Sequence, residues 1–105
     1  MKAALEKLSD SAWTLRGDIK YANAVEIREQ GERLLESSAQ SVGVDLSGMT
    51  SATSVAISVL LCWLRAAQKR GKSLSFNHLP QNLLDVARVS GLDKLLDQAV
   101  VQAAP

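Results

Sequence analysis

The side chains that could carry chemistry are few and far apart. The chain has one histidine, His78, and one cysteine, Cys62. No aspartate or glutamate lies within three residues of His78, so we expect a structural or solvent-facing imidazole instead of a general base. Cys62 falls in an apolar helical segment, where we expect it to act as a small hydrophobic residue. One cysteine and one histidine exclude a zinc site made only of these residue types in one chain.

A run of hydroxyls, in the segment "SGMTSATS" at 47–54, separates a short apolar strand from an apolar helix. A helix N-terminus needs one such hydroxyl as a cap, and Thr53 or Ser54 suits that role. The segment lacks the repeated glycines and the lysine of a P-loop. The hydroxyls outnumber those that capping requires, so they indicate a docking surface or a modification site. A phosphate there would lie at the positive end of the helix dipole.

The first elements of the predicted fold form a hairpin followed by a helix. Trp13 and Leu15 alternate with polar residues, which predicts a half-buried strand. It is separated by Asp10 and Ser11 from an earlier short run, so the two runs predict a hairpin. Asn23 is then expected to cap a helix that extends to about Ser38.

The later segments alternate strands and helices. Val42, Val44 and Leu46 share one face, which predicts a strand covered by helices. A helix is predicted from about Ser54 to Arg70 and is ended by Gly71. A strand over 72–77 follows, and then a helix that Pro80 opens and Gly91 ends. The pattern of the remaining tail is ambiguous and allows a short strand and a helix.

These elements predict one α/β domain over residues 1–105, with a four- to five-stranded mixed sheet and three to four helices packed on it. The formal net charge of +1 gives no broad basic field for nucleic acid. The single cysteine and the absence of a secretory signal favour a cytoplasmic protein. Hydroxyls crowd the long uncharged stretch 46–64, so we expect a buried helix there and not a membrane anchor. No cofactor is predicted.

The helix that follows the hydroxyls has one polar stripe. At 100° per residue, Ser54, Ser58, Arg65 and Lys69 point in similar directions, with Leu61 and Gln68 beside them. The apolar residues cover about 200°, which is wider than a surface helix needs. The polar stripe is therefore a candidate recognition surface, in which Leu61 supplies an apolar anchor among polar neighbours.

Three segments in chain order resemble STAS domains. "VDLSGMTSATSVAISVLL" is similar to the family's signature strand, loop and helix, and "LRGDIKYANAVEI" to the segment that enters its first helix. "LPQNLLDVARVSGLDKLL" resembles the family's third helix and its exit. The resemblance covers nearly the whole chain and implies the STAS fold.

Within the family, the chain most resembles the MlaB branch, which implies a non-enzymatic, cytoplasmic subunit of a phospholipid ABC transporter at the inner membrane. Such a subunit would bind the ATPase subunit in a complex with a permease and a periplasmic lipid-binding subunit. The resemblance implies a contact with the ATPase through the hydroxyl at Ser54. The predicted partner-binding residues are those of the loop and of the exposed side of the helix: Thr50, Ser51, Thr53, Ser54, Ser58, Leu61 and Arg65.

An anti-sigma factor antagonist is the alternative within the same family. Ser54 falls at the position that is phosphorylated in those antagonists. The neighbours differ from the antagonist pattern, because Thr53 replaces an aspartate and Val55 and Ala56 replace a small residue and a glycine. These departures favour the transporter branch.

Overall fold

The computed structural model of the chain describes residues 3–50, 53–89, 91 and 100–103. In chain order, the elements are β1 (Ala4–Ser9), β2 (Ala12–Gly17), α1 (Tyr21–Glu36), β3 (Ser41–Met49), α2 (Ser54–Lys69), β4 (Ser73–Leu79), α3 (Gln81–Val89) and β5 (Val100–Ala103).

The five strands form one mixed sheet in the order β1-β2-β3-β4-β5. β1 and β2 form the predicted antiparallel hairpin, and every later pair is parallel. The α/β class and the mixed sheet are thus confirmed. The open question about the tail is settled in part, since β5 is a strand, whereas the predicted tail helix lies outside the described residues.

The three described helices follow successive parallel strands, and the crossovers step through the sheet in one direction. Because such crossovers are right-handed, they place the helices on the same face. In β3, Val42, Val44 and Leu46 are fully buried, while Asp45 is half-buried and Ser47 is exposed. The strand predicted to be covered by helices is therefore covered on one face. No helix within the described part of the chain is both long and apolar enough to span a membrane.

Helix α1 begins earlier and ends earlier than predicted. Its N-cap is Lys20, and Asn23 lies inside the first turn, so the prediction of Asn23 as the cap was wrong. The Oδ1 atom of Asn23 accepts the backbone N–H of Lys20 at 2.8 Å, so the side chain still satisfies a backbone donor at this helix end. The helix ends at Glu36 instead of near Ser38.

Helices α1 and α2 meet around one tryptophan. The indole of Trp63 is fully buried, and its Nε1–H donates to the backbone carbonyl of Arg28 at 3.0 Å. Gly31 faces this ring so closely that a Cβ there would lie 2.2 Å from Nε1. Trp13 of β2 contacts the same ring edge to face, with centroids 6.1 Å apart. This contact fixes the two helices against each other and against the sheet.

Candidate functional site

The hydroxyl-rich loop enters α2 through a side-chain cap. Thr53 has an extended backbone, and its Oγ1 accepts the backbone N–H of Ala56 at 3.2 Å. This bond satisfies one of the four free donors at the helix end. The sequence allowed either Thr53 or Ser54 as the cap, and Thr53 has this role. Ser51, which was also predicted to contact a partner, lies outside the described residues.

The hydroxyls beyond the cap face solvent. Thr50, Ser54 and Ser58 are all exposed. Ser58 Oγ donates to the carbonyl of Ser54 at 2.9 Å, so that hydroxyl is engaged within the helix. The Ser54 hydroxyl makes no hydrogen bond with any residue in the described ranges, and it stands at the first residue of α2. Unlike the Ser58 hydroxyl, the Ser54 hydroxyl is therefore placed to contact another molecule.

The predicted polar stripe continues along α2. Ser54, Ser58 and Arg65 are exposed, and Leu61 between them is half-buried with part of its side chain against the core. The exposure predicted for the stripe is confirmed. Its role in binding a partner remains a prediction.

The loop is held to the sheet at its first residue. The backbone N–H of Thr50 donates to the carbonyl of Gly17 at 2.9 Å. Within β3, Asp45 Oδ1 accepts the backbone N–H of Ser47 at 2.9 Å. This hydrogen bond, helped to a smaller degree by nearby His78, lowers the pKa of the Asp45 carboxyl below its usual value. The end of β3, and with it the start of the hydroxyl loop, has a defined geometry.

Two exposed apolar residues extend this surface onto α1. Tyr21 is 88% exposed and Val25 is 58% exposed, and their spacing of four places them on one helix face. Helices α1 and α2 both follow parallel strands and pack together, so their N-terminal ends lie at the same edge of the sheet. Neither residue was predicted as part of a surface: the helix predicted from the cap Asn23 left Tyr21 outside it, and Val25 has no large exposed apolar neighbour on α1 without Tyr21.

The other side chains with potential for chemistry lie elsewhere. His78 is half-buried near the end of β4, with the left-handed φ of 58° that is uncommon for a residue with a side chain. Cys62, which was expected to act as a small hydrophobic residue, is half-buried at a cleft between α1 and α2. Its place at the cleft was not predicted, because the helical wheel of α2 alone does not show where α1 covers it. In the described residues, no three potential metal ligands cluster together.

Several solved structures share this fold. The fold is similar to that of the unphosphorylated anti-sigma factor antagonist SpoIIAA of Bacillus, with a TM-score of 0.72 and 13% identity over 98% of this chain and 89% of that one. It is also similar to an anti-sigma factor antagonist from Mycobacterium paratuberculosis, with a TM-score of 0.66 and 14% identity over 99% and 86% of the two chains.

A third similar structure is the complex of the diguanylate cyclase SiaD with its activator SiaC from Pseudomonas aeruginosa. A chain in it matches with a TM-score of 0.63 and 16% identity, over 99% of this chain and 93% of that one. At such low identities, these likenesses establish the fold alone.

The family follows from the sequence. The family model described as "Mlab, STAS domain" matches residues 5–97, which is most of the chain. The chain therefore belongs to the STAS domain family, as its three motifs indicated. No curated protein matches it in a sequence comparison.

Proposed function

We propose that this chain is the non-catalytic STAS subunit of an MlaFEDB-like ABC transporter. It binds the ATPase subunit and stabilises or regulates it, within a complex that also contains a permease and a periplasmic lipid-binding subunit. The complex would move phospholipid between membranes and support the lipid asymmetry of the outer membrane. The partner hydrolyses ATP, so this chain needs no cofactor. It would lie on the cytoplasmic side of the inner membrane, held there by the complex.

The observation that carries the proposal is the surface formed by the hydroxyl-rich loop, the polar stripe of α2 and the first turns of α1. We call it the docking surface, and it consists of Thr50, Thr53, Ser54, Ser58, Leu61 and Arg65, together with Tyr21 and Val25 of α1. It combines exposed hydroxyls with exposed apolar side chains, as protein interfaces do. Tyrosine is enriched among residues that dominate binding energy, which makes Tyr21 a strong anchor. The family model that matches the chain is the MlaB type, and this supports an ATPase as the partner.

Regulation would follow from preferential binding. A subunit that binds one conformation of the ATPase more tightly than another shifts the population towards the conformation it prefers. Because the subunit binds only the folded ATPase, binding also raises the free energy of unfolding of the ATPase. Neither effect requires this chain to touch the lipid or the nucleotide.

The first experiment is affinity purification of the tagged protein from its native cells in gentle detergent, with partners identified by mass spectrometry. Recovery of an ABC ATPase together with its permease and a periplasmic lipid-binding subunit is the expected result. Failure to recover the ATPase, while other partners are recovered, would contradict the proposal.

A matched pair of variants tests the surface. Leu61→Asp places a charge on the docking surface and should weaken binding of the purified ATPase at least about tenfold, or about 1.4 kcal/mol. Leu8→Asp makes the same change on β1, where Leu8 is 64% exposed, and should bind as wild type does. Because Leu61 is half-buried, the melting temperature of each variant is measured as well. Tyr21→Ala repeats the test at a residue with little packing to lose.

An anti-sigma factor antagonist is the second candidate, and the exposure and position of the Ser54 hydroxyl favour it. Its hydroxyl is exposed and stands at the helix N-terminus, where a phosphate is electrostatically stabilised. The similar solved structures include such antagonists. Recovery of a small serine kinase, with phosphate on Ser54 that is lost in Ser54→Ala, would favour this function over the transporter.

A further inference from the structure

A cleft opens between α1 and α2 on the side away from the hydroxyl loop. Its volume is about 420 Å³, within the usual range for small-ligand sites. The polar side chains that line it are Arg28 and Glu32 from α1 and Cys62, Arg65, Lys69 and Arg70 from α2. Four cations thus surround one acid, in a protein whose overall net charge is only +1.

The single acid in the cleft is already paired. Arg28 Nη1 donates to Glu32 Oε2 at 2.8 Å, one turn apart on α1. This pair offsets one positive charge and holds both side chains against the helix. On the other wall, Arg70 Nη1 donates to the carbonyl of Ala66 at 3.1 Å, and its second nitrogen lies 3.8 Å from Glu36. Two of the four cations are therefore held in place by the protein.

Arg65 and Lys69 have no such partner in the part of the chain that the structure describes. They lie one turn apart on the same wall, and two like charges at this spacing disfavour a helix. The C-terminal dipole of α2 favours a cation at Lys69, but it falls off within the last turn and gives little at Arg65. The repulsion between Arg65 and Lys69 is therefore not offset by another described residue, and a bound anion would offset it.

The cleft exists before any ligand enters it. The indole N–H of Trp63 bonds to the carbonyl of Arg28, and the missing Cβ of Gly31 lets the two helices approach at that point. The helices that carry the cations are thus fixed by the core, so binding has to order only the side chains of Arg65 and Lys69 and not the backbone. A preformed cleft with cations on both walls suits a compact ligand that accepts several hydrogen bonds.

We propose that this cleft is a binding site for an anion of the phosphate class, with Arg65 and Lys69 as its main contacts. A phosphate group offers several acceptor oxygens and about two negative charges, and arginine and lysine form short, charge-assisted hydrogen bonds with it. Arg28 and Arg70 would complete the ring of donors. The site is separate from the docking surface except at Arg65, and it does not depend on the proposed partner.

The test is a titration of the ¹⁵N-labelled full chain with sodium pyrophosphate, at constant ionic strength set with sodium chloride and followed by amide chemical shifts. We expect saturable shifts confined to 28–32 and 62–70. The double variant Arg65→Ala/Lys69→Ala should bind at least about tenfold more weakly. The control Lys7→Ala/Arg88→Ala removes the same charge from exposed residues outside the cleft and should bind like wild type.

A second arm identifies the source of the phosphate. Vesicles of phosphatidylglycerol are sedimented with each protein, and vesicles of phosphatidylcholine serve as the neutral comparison. Sedimentation with phosphatidylglycerol that the cleft variant loses would support the proposal with a lipid headgroup as the source. Saturable pyrophosphate binding without sedimentation would support it with a free phosphate compound. Shifts that stay linear, spread over the surface, or persist unchanged in the cleft variant would overturn it.

Discussion

The two ends of the α1–α2 layer differ in the chemistry that they expose. At the N-terminal end, the exposed side chains include the hydroxyls of Ser54 and Ser58 on α2 and the apolar groups of Tyr21 and Val25 on α1. Towards the C-terminal end, the cleft is lined by four cations and one acid. Exposed hydroxyls beside apolar side chains suit a protein partner, which is recognised by shape and burial. A cationic cleft suits a ligand that is recognised by charge.

One packing contact supports both regions. Trp63 is fully buried between the helices, and Gly31 provides the space for its ring. Because packed cores deform little, a change at this contact should affect both surfaces. A change at either end of the layer should affect only the nearer one. The comparison thus predicts which variants separate the two surfaces and which do not.

The largest effect is expected from Gly31→Ala. A Cβ at this position would lie 2.2 Å from Trp63 Nε1, and the ring is fully buried and held by the Arg28 carbonyl and by Trp13. Alanine is the better helix former by about 1 kcal/mol, but the overlap should win and destabilise the protein by about 1–3 kcal/mol. Urea unfolding measures the loss. Gln30→Ala, one residue earlier, is the control, and equal stability of Gly31→Ala and wild type would show that the helices are not fixed at this contact.

The next largest effect is expected from Lys72→Met, at the cleft end. The ammonium group of Lys72 bonds to the carbonyls of Leu35 and Ser38 and to the Ser38 hydroxyl, which ties the end of α1 to the start of β4. Methionine keeps the stem but leaves these acceptors without the donor, at an expected cost of about 1–2 kcal/mol. Pyrophosphate binding in the cleft should weaken as α1 loosens, while partner binding stays unchanged. Loss of both would mean that the two ends are coupled.

The strands and α2 were predictable because local patterns decide them. The alternation of Trp13 and Leu15, and of the buried residues of β3, marks strands whichever way the sheet is ordered. Gly71, with its φ of 66°, ends α2 near the predicted residue because few other residues adopt that conformation at low cost. The hydroxyl stripe followed from helical geometry alone.

The features that were missed depend on how separate elements meet. The side chain of Asn23 does serve the start of α1, but from inside the helix, and a single sequence does not distinguish the two arrangements. Because Asn23 was predicted as the cap, Tyr21 was placed before the helix and not on its surface. Cys62 lies in an apolar run, and its exposure depends on where α1 crosses α2, which is set by Gly31 and Trp63. The cationic cleft has the same origin, since its cations come from two helices that are distant in sequence.

A smaller and more local effect is expected from Thr53→Ala at the docking end. It removes the acceptor for the Ala56 N–H and should cost about 1 kcal/mol of stability. Thr53→Ser keeps the acceptor and serves as the matched control. Fraying of the first turn should weaken partner binding and leave the pyrophosphate affinity of the cleft unchanged. A cleft affinity that falls in parallel would contradict the separation of the two ends.

The smallest effect is expected from pH, through Asp45 in the strand that leads to the docking end. The Ser47 N–H stabilises its carboxylate and lowers its pKa in the folded state, so the folded protein binds a proton at Asp45 less readily than the unfolded chain does. This contribution is present above the unfolded pKa of about 3.9. It is lost as the pH falls through the lower folded pKa. Solvent screens the half-buried group, so we expect at most about 0.5 kcal/mol. Asp45→Asn should make the free energy of unfolding fall less steeply with decreasing pH below about pH 4. Urea unfolding between about pH 2 and pH 6 measures this dependence. If the slope is the same in the variant, the acid dependence comes from other carboxylates.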